Sequence, residues 1–451
     1  MLRFGTDGVR GVALTELTPA YVEALGAAAA RVLGAGTWLI GRDTRESGPV
    51  LEAALVRGLR SAGAEVVLCG VLPTPALALL SANRVVPAAM ITASHNPFSD
   101  NGVKIFAAGG LKLRDDVETA IELDIDHDAI AALDAHGEQQ PPESTDTSDV
   151  VVTVLDDAIA QYVDHLVALF PPKILVGLKV VLDCANGAMS LAAPLVAEAL
   201  GAVVTVIHAE PNGFNINDRC GATHVASLAE AVVAEAADAG LAFDGDGDRV
   251  IAIDERGQVL DGDRMIALGA LQLQAEHRLT DETVVVTVMS NLGFHHAMKA
   301  AGIKVVATAV GDRYVLEALE EGGFAIGGEQ SGHVIYRHTA TTGDGLLAGL
   351  RLLEHVHTSQ QRLSLIADAV MDTYPQVLIN VAVKHRHPQI AQELAAEVAE
   401  IERQLGDEGR VLLRASGTEP LVRVMVEAST DEAARRLAEQ LAAVVRSRFD
   451  S

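Results

Sequence analysis

Aromatic residues are scarce in this chain, 3% of 451 positions with a single tryptophan, and cations are outnumbered, 34 Lys and Arg against 61 Asp and Glu. The formal charge of -27 comes without any Lys/Arg cluster. A nucleic-acid partner is therefore disfavoured, because phosphate backbones need a basic footprint. Three cysteines, Cys69, Cys184 and Cys220, show no C-x-x-C spacing. Buried, inert thiols in a reducing cytoplasm are expected. No apolar run reaches membrane-spanning length, and MLRFGTDGVRG is unlike a signal peptide, so no membrane partner is expected. The Walker pattern G-x-x-x-x-G-K-[ST] is missing too, which leaves a P-loop kinase without support.

What is abundant is Ala, Val and Leu, within a hydrophobic share of 49%. That suits Val-rich strands covered by Ala- and Leu-rich helices, and the length suggests two to four domains. One pattern recurs three times. A hydrophobic strand enters a polar turn in WLIGRDTR (38–45), KVVLDCANGA (179–188) and VVVTVMSNLG (284–293). A helical stretch then stops at glycine before a second strand, in SAGAEVVLCG (61–70), EALGAVVTVIH (198–208) and AAGIKVVATAV (301–310). A third strand and a loop of small residues close each unit: AAMITASHNP (88–97), LAFDGDGDRV (241–250) and FAIGGEQSGH (324–333).

These repeats predict an α/β protein: three related βαβ-type domains with mostly parallel mixed sheets around a central cleft, the polar loops at the strand ends. From about residue 366 the pattern changes to RVLLRASGTEPLVRVMVEA and an amphipathic helix, a smaller α+β C-terminal domain. Twelve acidic residues between Asp115 and Asp149, with Pro141-Pro142, mark a solvated helix face and a linker at 136–149; a second linker is expected near His357–Gln361. Composition thus divides the chain into 1–149, 150–250, 251–362 and 363–451.

The loops differ in chemistry. Asp244, Asp246 and Asp248 alternate with Gly245 and Gly247, so an extended, tightly curved segment converges three carboxylates. Hard oxygen ligands suit Mg²⁺, with room left for a phosphate. An EF-hand would need glycine where Arg249 stands, and a haloacid-dehalogenase phosphatase would need Thr or Val at Asp248. In TASHNPFSDNGVKIF, Ser94 sits among small residues beside His95, with Lys104 downstream. Alone, this loop is equally a structural turn. Glu329, Ser331 and His333 alternate in GGEQSGH and suit sugar hydroxyls, with His333 open to a base or structural role. Arg414, Ser416, Gly417 and Thr418, with Arg423 beyond, make a phosphate clamp; Thr6 and Arg10 lie in another glycine turn.

With FGTDGVRG, TASHNP and DNGVKIF, DGDGDR, GEQSGH and RASGTEP in that order, the chain resembles the α-D-phosphohexomutase family along its whole length. The resemblance implies a phosphorylated Ser94 and one Mg²⁺ per subunit on Asp244, Asp246, Asp248 and a phosphoserine oxygen. It implies that the loop Glu329–His333 selects the sugar and that Arg414–Thr418 grips the non-reacting phosphate. Lys104 and Arg249 are then expected at the transferring group and Arg10 behind the serine loop. His95 or Lys104 would handle the proton. Gln330 and NINDRCGATH (215–224) point to the branch acting on glucosamine phosphate, primed by glucosamine or glucose 1,6-bisphosphate. A phosphomannomutase/phosphoglucomutase of broad specificity is the nearer alternative, and a non-catalytic, metal-stabilised binding protein the more distant one. Family similarity also allows a homodimer through the first domain.

Overall fold

A computed structural model describes residues 2–5, 7–126, 130, 152–415 and 420–449. The linker at 136–149 and residues Thr6, Ser416, Gly417 and Thr418 lie outside these described residues. The chain forms two compact units, Met1–Val288 with Lys304–Ala367, and Met289–Ile303 with Asp368–Ser451.

In the first unit the repeat becomes three sheets with one strand order. The first repeat runs Glu65–Val71, Thr37–Arg42, Ala88–Ile91, Asp100–Ala107. The second runs Val203–Ile207, Lys179–Asp183, Ala239–Phe243, Val250–Asp254. The third runs Lys304–Thr308, Thr283–Thr287, Ile326–Gly328, Val334–Tyr336. The first three strands of each are parallel and the fourth returns antiparallel. The central strands Ala239–Phe243 and Thr283–Thr287 are buried at every position, which is why they read as unbroken apolar runs.

The reactive loops all lie between the third strand and this antiparallel return. A connection this short permits only a hairpin, since a parallel crossover needs a dozen residues or more. In the first sheet, Gly8–Val12 adds antiparallel to Asp100–Ala107, with Val9 opposite Val103, and so brings Asp7 and Arg10 to the serine loop's side. The second sheet runs on through Val250–Asp254 and Val259–Leu260, beyond the break placed at 250 on composition.

The acidic helix Asp115–Asp124 buries only Ile121, as a solvated face should. Near 357 the helix Gly345–Ser359 runs on until Gln360, at φ 54°, ends it, and after a short break at 360–362 the chain is helical again in Leu363–Val370. All three cysteines are free and buried. The second unit has an antiparallel sheet, Gln376–Ala382, Leu421–Ala428, Gly409–Ala415, whose Val377 and Val424 share a core with Leu437 and Leu441 of the helix Asp431–Phe449. Among the described residues no helix is long and apolar enough to cross a membrane.

Candidate active site

Ser94 follows Ala88–Ile91, is fully buried, and adopts φ 52°, a left-handed conformation unusual for a residue with a Cβ. Its surroundings hold it there. The Ser94 amide donates to Thr92 Oγ1 at 2.9 Å, and that hydroxyl donates to Asp43 Oδ2 at 2.7 Å. The buried Arg45 guanidinium pairs with Asp43 at 2.9 Å and donates to the carbonyls of Ser94 (3.0 Å), Asn96 (2.8 Å), Asp100 (2.9 Å) and Pro97. From the second repeat, Asn217 Nδ2 donates to the Ser94 and Asn96 carbonyls at 2.9 and 3.0 Å. With the backbone fixed, the Ser94 hydroxyl donates to Asp244 Oδ2 at 2.6 Å.

Asp244, Asp246 and Asp248 are buried, and their ligand atoms lie within 4.8 Å of one another. Gly247 takes φ 73°, and a side chain at Gly245 would strike the Ser94 carbonyl oxygen, so the turn and its approach to the serine both require glycine. Asp246 Oδ2 accepts from Thr74 Oγ1 at 2.6 Å. Asp246 Oδ1 and Asp248 Oδ1 are buried with no hydrogen-bond partner among the described residues. Burial, then Asp248 and Asp246, pushes Asp244 up to about 8. Unsatisfied hard oxygens and unbalanced negative charge are what a divalent cation supplies, so this set fits Mg²⁺.

Lys104 Nζ contacts Asp246 at 2.7 Å, Asp248 at 2.8 Å and Asp7 at 2.8 Å. Burial disfavours its charge, but the three aspartates raise its pKa well above the usual value. Lys104 is therefore held as an ammonium among the three aspartates. The other proton candidate, His95, places Nδ1 3.3 Å from Ser94 Oγ; burial, then Arg249 and Arg10, lowers it to about 4, so it is neutral at pH 7. Arg10 itself pairs with Asp7 at 2.7 Å. Asp7 also receives Lys112, which reaches Asp312 of the third repeat, so charged contacts span all three sheets.

The alternating trio in GGEQSGH does not share one fate. Glu329 is half-buried and its Oε1 accepts from the Gly311 amide at 3.1 Å, whereas Ser331 is exposed. His333 is buried: Gly343 N–H donates to its Nε2 at 3.2 Å, and Nδ1 faces Asp248 Oδ1 at 3.6 Å. It thus lies between the aspartate loop and the Gly343 turn. Gly332, at φ 93°, turns the chain between Ser331 and His333 and breaks the alternation. Gln330 donates to Asp261 Oδ2 at 3.3 Å, at the start of the helix Gly262–Ala275. Burial disfavours the charge of Arg249, but Asp248, Asp244 and Glu329 raise its pKa.

In the second unit Arg414 and Arg423 are opposed in register across two strands. Their Nε atoms are buried without a hydrogen-bond partner among the described residues, and burial together with Arg423 lowers the pKa of Arg414. Paired, unsatisfied guanidiniums fit an anion. Sequence reasoning missed Asp7, Asp43, Arg45, Thr74 and Asn217. The one available signal was GRDTR, the polar turn of the first repeat, which places Asp43 and Arg45 at a strand end.

Four family models match, described as phosphoglucomutase/phosphomannomutase domains: alpha/beta/alpha domain I over residues 1–130, domain II over 160–257, domain III over 261–374, and the C-terminal domain over 378–444. The chain is 52% identical to phosphoglucosamine mutase of Frankia casuarinae over 460 residues, covering 98% of each chain. It is 51% identical to that of Rhodococcus jostii over 454 residues, covering 98% of this chain and 99% of the relative. A putative phosphomannomutase from Thermus thermophilus superposes with a TM-score of 0.78 at 26% identity over 99% of each chain. Aspergillus fumigatus N-acetylphosphoglucosamine mutase, solved with GlcNAc-6P and magnesium, shares the fold: TM-score 0.69, 19% identity, 99% of this chain and 95% of that one.

Proposed function

The chain belongs to the phosphoglucomutase/phosphomannomutase family, and from that premise we propose that it interconverts glucosamine 6-phosphate and glucosamine 1-phosphate through a phosphorylated Ser94. The observation that carries this reading is the Ser94 hydroxyl, 2.6 Å from Asp244 within a buried three-aspartate loop. The full-length relatives named phosphoglucosamine mutase support the substrate.

In the first step phosphoserine 94 gives its phosphoryl group to the free hydroxyl of glucosamine 6-phosphate. The resulting 1,6-bisphosphate turns over and returns its other phosphoryl group to Ser94, releasing glucosamine 1-phosphate. Mg²⁺ held by Asp244, Asp246 and Asp248 would neutralise charge on the transferring group. Arg45 and Asn217 fix the serine backbone, Lys104 holds the aspartates together, and Arg249 faces the same loop. His95, neutral and beside Ser94 Oγ, is the group placed to take up a proton. Glu329, Ser331 and His333 serve the sugar, and Arg414 with Arg423 the phosphate that is not reacting.

The free cysteines fit a reducing cytoplasm. Val12 and Leu14, 41% and 40% exposed on the first repeat, fit pairing with a second copy there.

The test compares kcat/KM for glucosamine, glucose and mannose 6-phosphates, with Mg²⁺ and a hexose 1,6-bisphosphate primer. Glucosamine 6-phosphate should lead by more than about tenfold, a difference of about 1.4 kcal/mol in transition-state binding. A lead for glucose or mannose phosphate keeps the chemistry and replaces the substrate with that of a broad phosphomannomutase/phosphoglucomutase. Arg414→Ala should raise KM and slow turnover without changing the thermal unfolding of the protein; steady-state kinetics with an unchanged KM would remove the anion role from Arg414.

A further inference from the structure

Outside the reaction centre, Asp183, His208 and Cys220 bring a carboxylate oxygen, an imidazole nitrogen and a thiol sulfur within 4.8 Å of one another. They meet where two strands of the second sheet end: Asp183 closes Lys179–Asp183, and His208 follows Val203–Ile207. Three features set the cluster apart from an ordinary ion pair. His208 Nδ1 is a buried atom 3.1 Å from Asp183 Oδ2 but makes no hydrogen bond, and His208 is held at φ 50°. Asp183 is oriented by the amides of Ala185 and Gly221, at 3.0 and 2.9 Å, and each oxygen keeps a lone pair. Finally, Cys220 is fully buried, and Asn186 Nδ2 reaches its sulfur at only 3.9 Å.

We propose that Asp183, His208 and Cys220 form a second metal site, taking one Zn²⁺ or similar borderline-soft divalent cation. Zinc bonds of about 2.0–2.3 Å separate tetrahedral ligand atoms by about 3.5 Å, so a closure of about 1 Å completes the set. The His208 side chain is 32% exposed, which leaves an entry path and a fourth position for water. The donor sets keep the two sites distinct: Mg²⁺ prefers the all-oxygen aspartate loop, whereas sulfur and imidazole select zinc. Cys220 also lies three residues beyond Asn217, which holds the Ser94 loop, so the ion fastens the segment carrying that contact. The inference is independent of the substrate assignment.

Metal-free protein is titrated with Co²⁺ while excess Mg²⁺ occupies the aspartate loop. The expected result is a thiolate-to-cobalt charge-transfer band that saturates at one equivalent and is displaced by Zn²⁺. Cys220→Ser should abolish the band, and His208→Asn, at a partly exposed position, should weaken binding by more than about tenfold. Cys69→Ser and Cys184→Ser should leave the band unchanged. The absence of a band in the wild-type protein, or its survival in Cys220→Ser, overturns the proposal.

Discussion

Lys104→Met should destabilise the first unit by about 3–5 kcal/mol in EDTA, recover part of that loss in Mg²⁺, and lower turnover by roughly 10²–10³-fold or more. The reason lies in what the ammonium faces. Asp7, Asp246 and Asp248 all reach it within 2.8 Å, and its side chain is 3% exposed. Methionine keeps most of the stem but takes the ammonium from Asp246 and Asp248 and leaves Asp7 only Arg10 and Lys112, and breaking a buried pair in this way costs far more than losing a surface one. A bound divalent ion answers part of the repulsion between Asp246 and Asp248 but does not reach Asp7's share. Denaturation midpoints measured with and without Mg²⁺ decide it. A variant as stable as wild type in EDTA would mean that the aspartates do not depend on Lys104.

Arg45→Met should cost about 3–5 kcal/mol as well, for the same reason at a different place, and should also disorder the serine loop. Arg45 and Asp43 are both wholly buried and paired, and the same guanidinium serves the carbonyls of Ser94, Asn96, Pro97 and Asp100. Replacing it leaves the buried Asp43 carboxylate without its cation and takes one donor from each of four backbone carbonyls. Asn217 still holds two of those carbonyls, so a reduced residual turnover is expected. Hydrogen exchange should report faster exchange over 92–100 in the variant. Unchanged protection there would place the loop's order elsewhere.

The parallel part of each sheet was readable because its strands are short runs of buried Val, Ile and Leu, with glycine marking where a helix stops. The antiparallel return was open to the same reasoning: Phe243 ends one strand and Val250 begins the next, too close for a crossover. The aspartate loop was legible because its three carboxylates are neighbours in sequence. Lys104 was singled out, but its partners were not, since Asp7 and Asp246 lie 97 and 142 positions away and only the packing of the sheets joins them. NINDRCGATH was read only as a whole, as a substrate signal, so Asn217 within it, whose amide serves the serine loop, went unseen. The even alternation expected of Glu329, Ser331 and His333 does not hold for a local reason: a period of two assumes an extended chain, and Gly332 makes a turn of it.

The central claim is that Ser94 carries the phosphoryl group. Its most direct test is transfer of label from a phosphoryl-labelled hexose 1,6-bisphosphate to the protein, followed by peptide mapping and a chase with glucosamine 6-phosphate, in wild type and Ser94→Ala. The label should sit on the peptide containing Ser94 and leave with the sugar, while the alanine variant takes up none and loses turnover by roughly 10⁴-fold or more. Label on another residue, or an alanine variant that still turns over at the wild-type rate, would contradict the account.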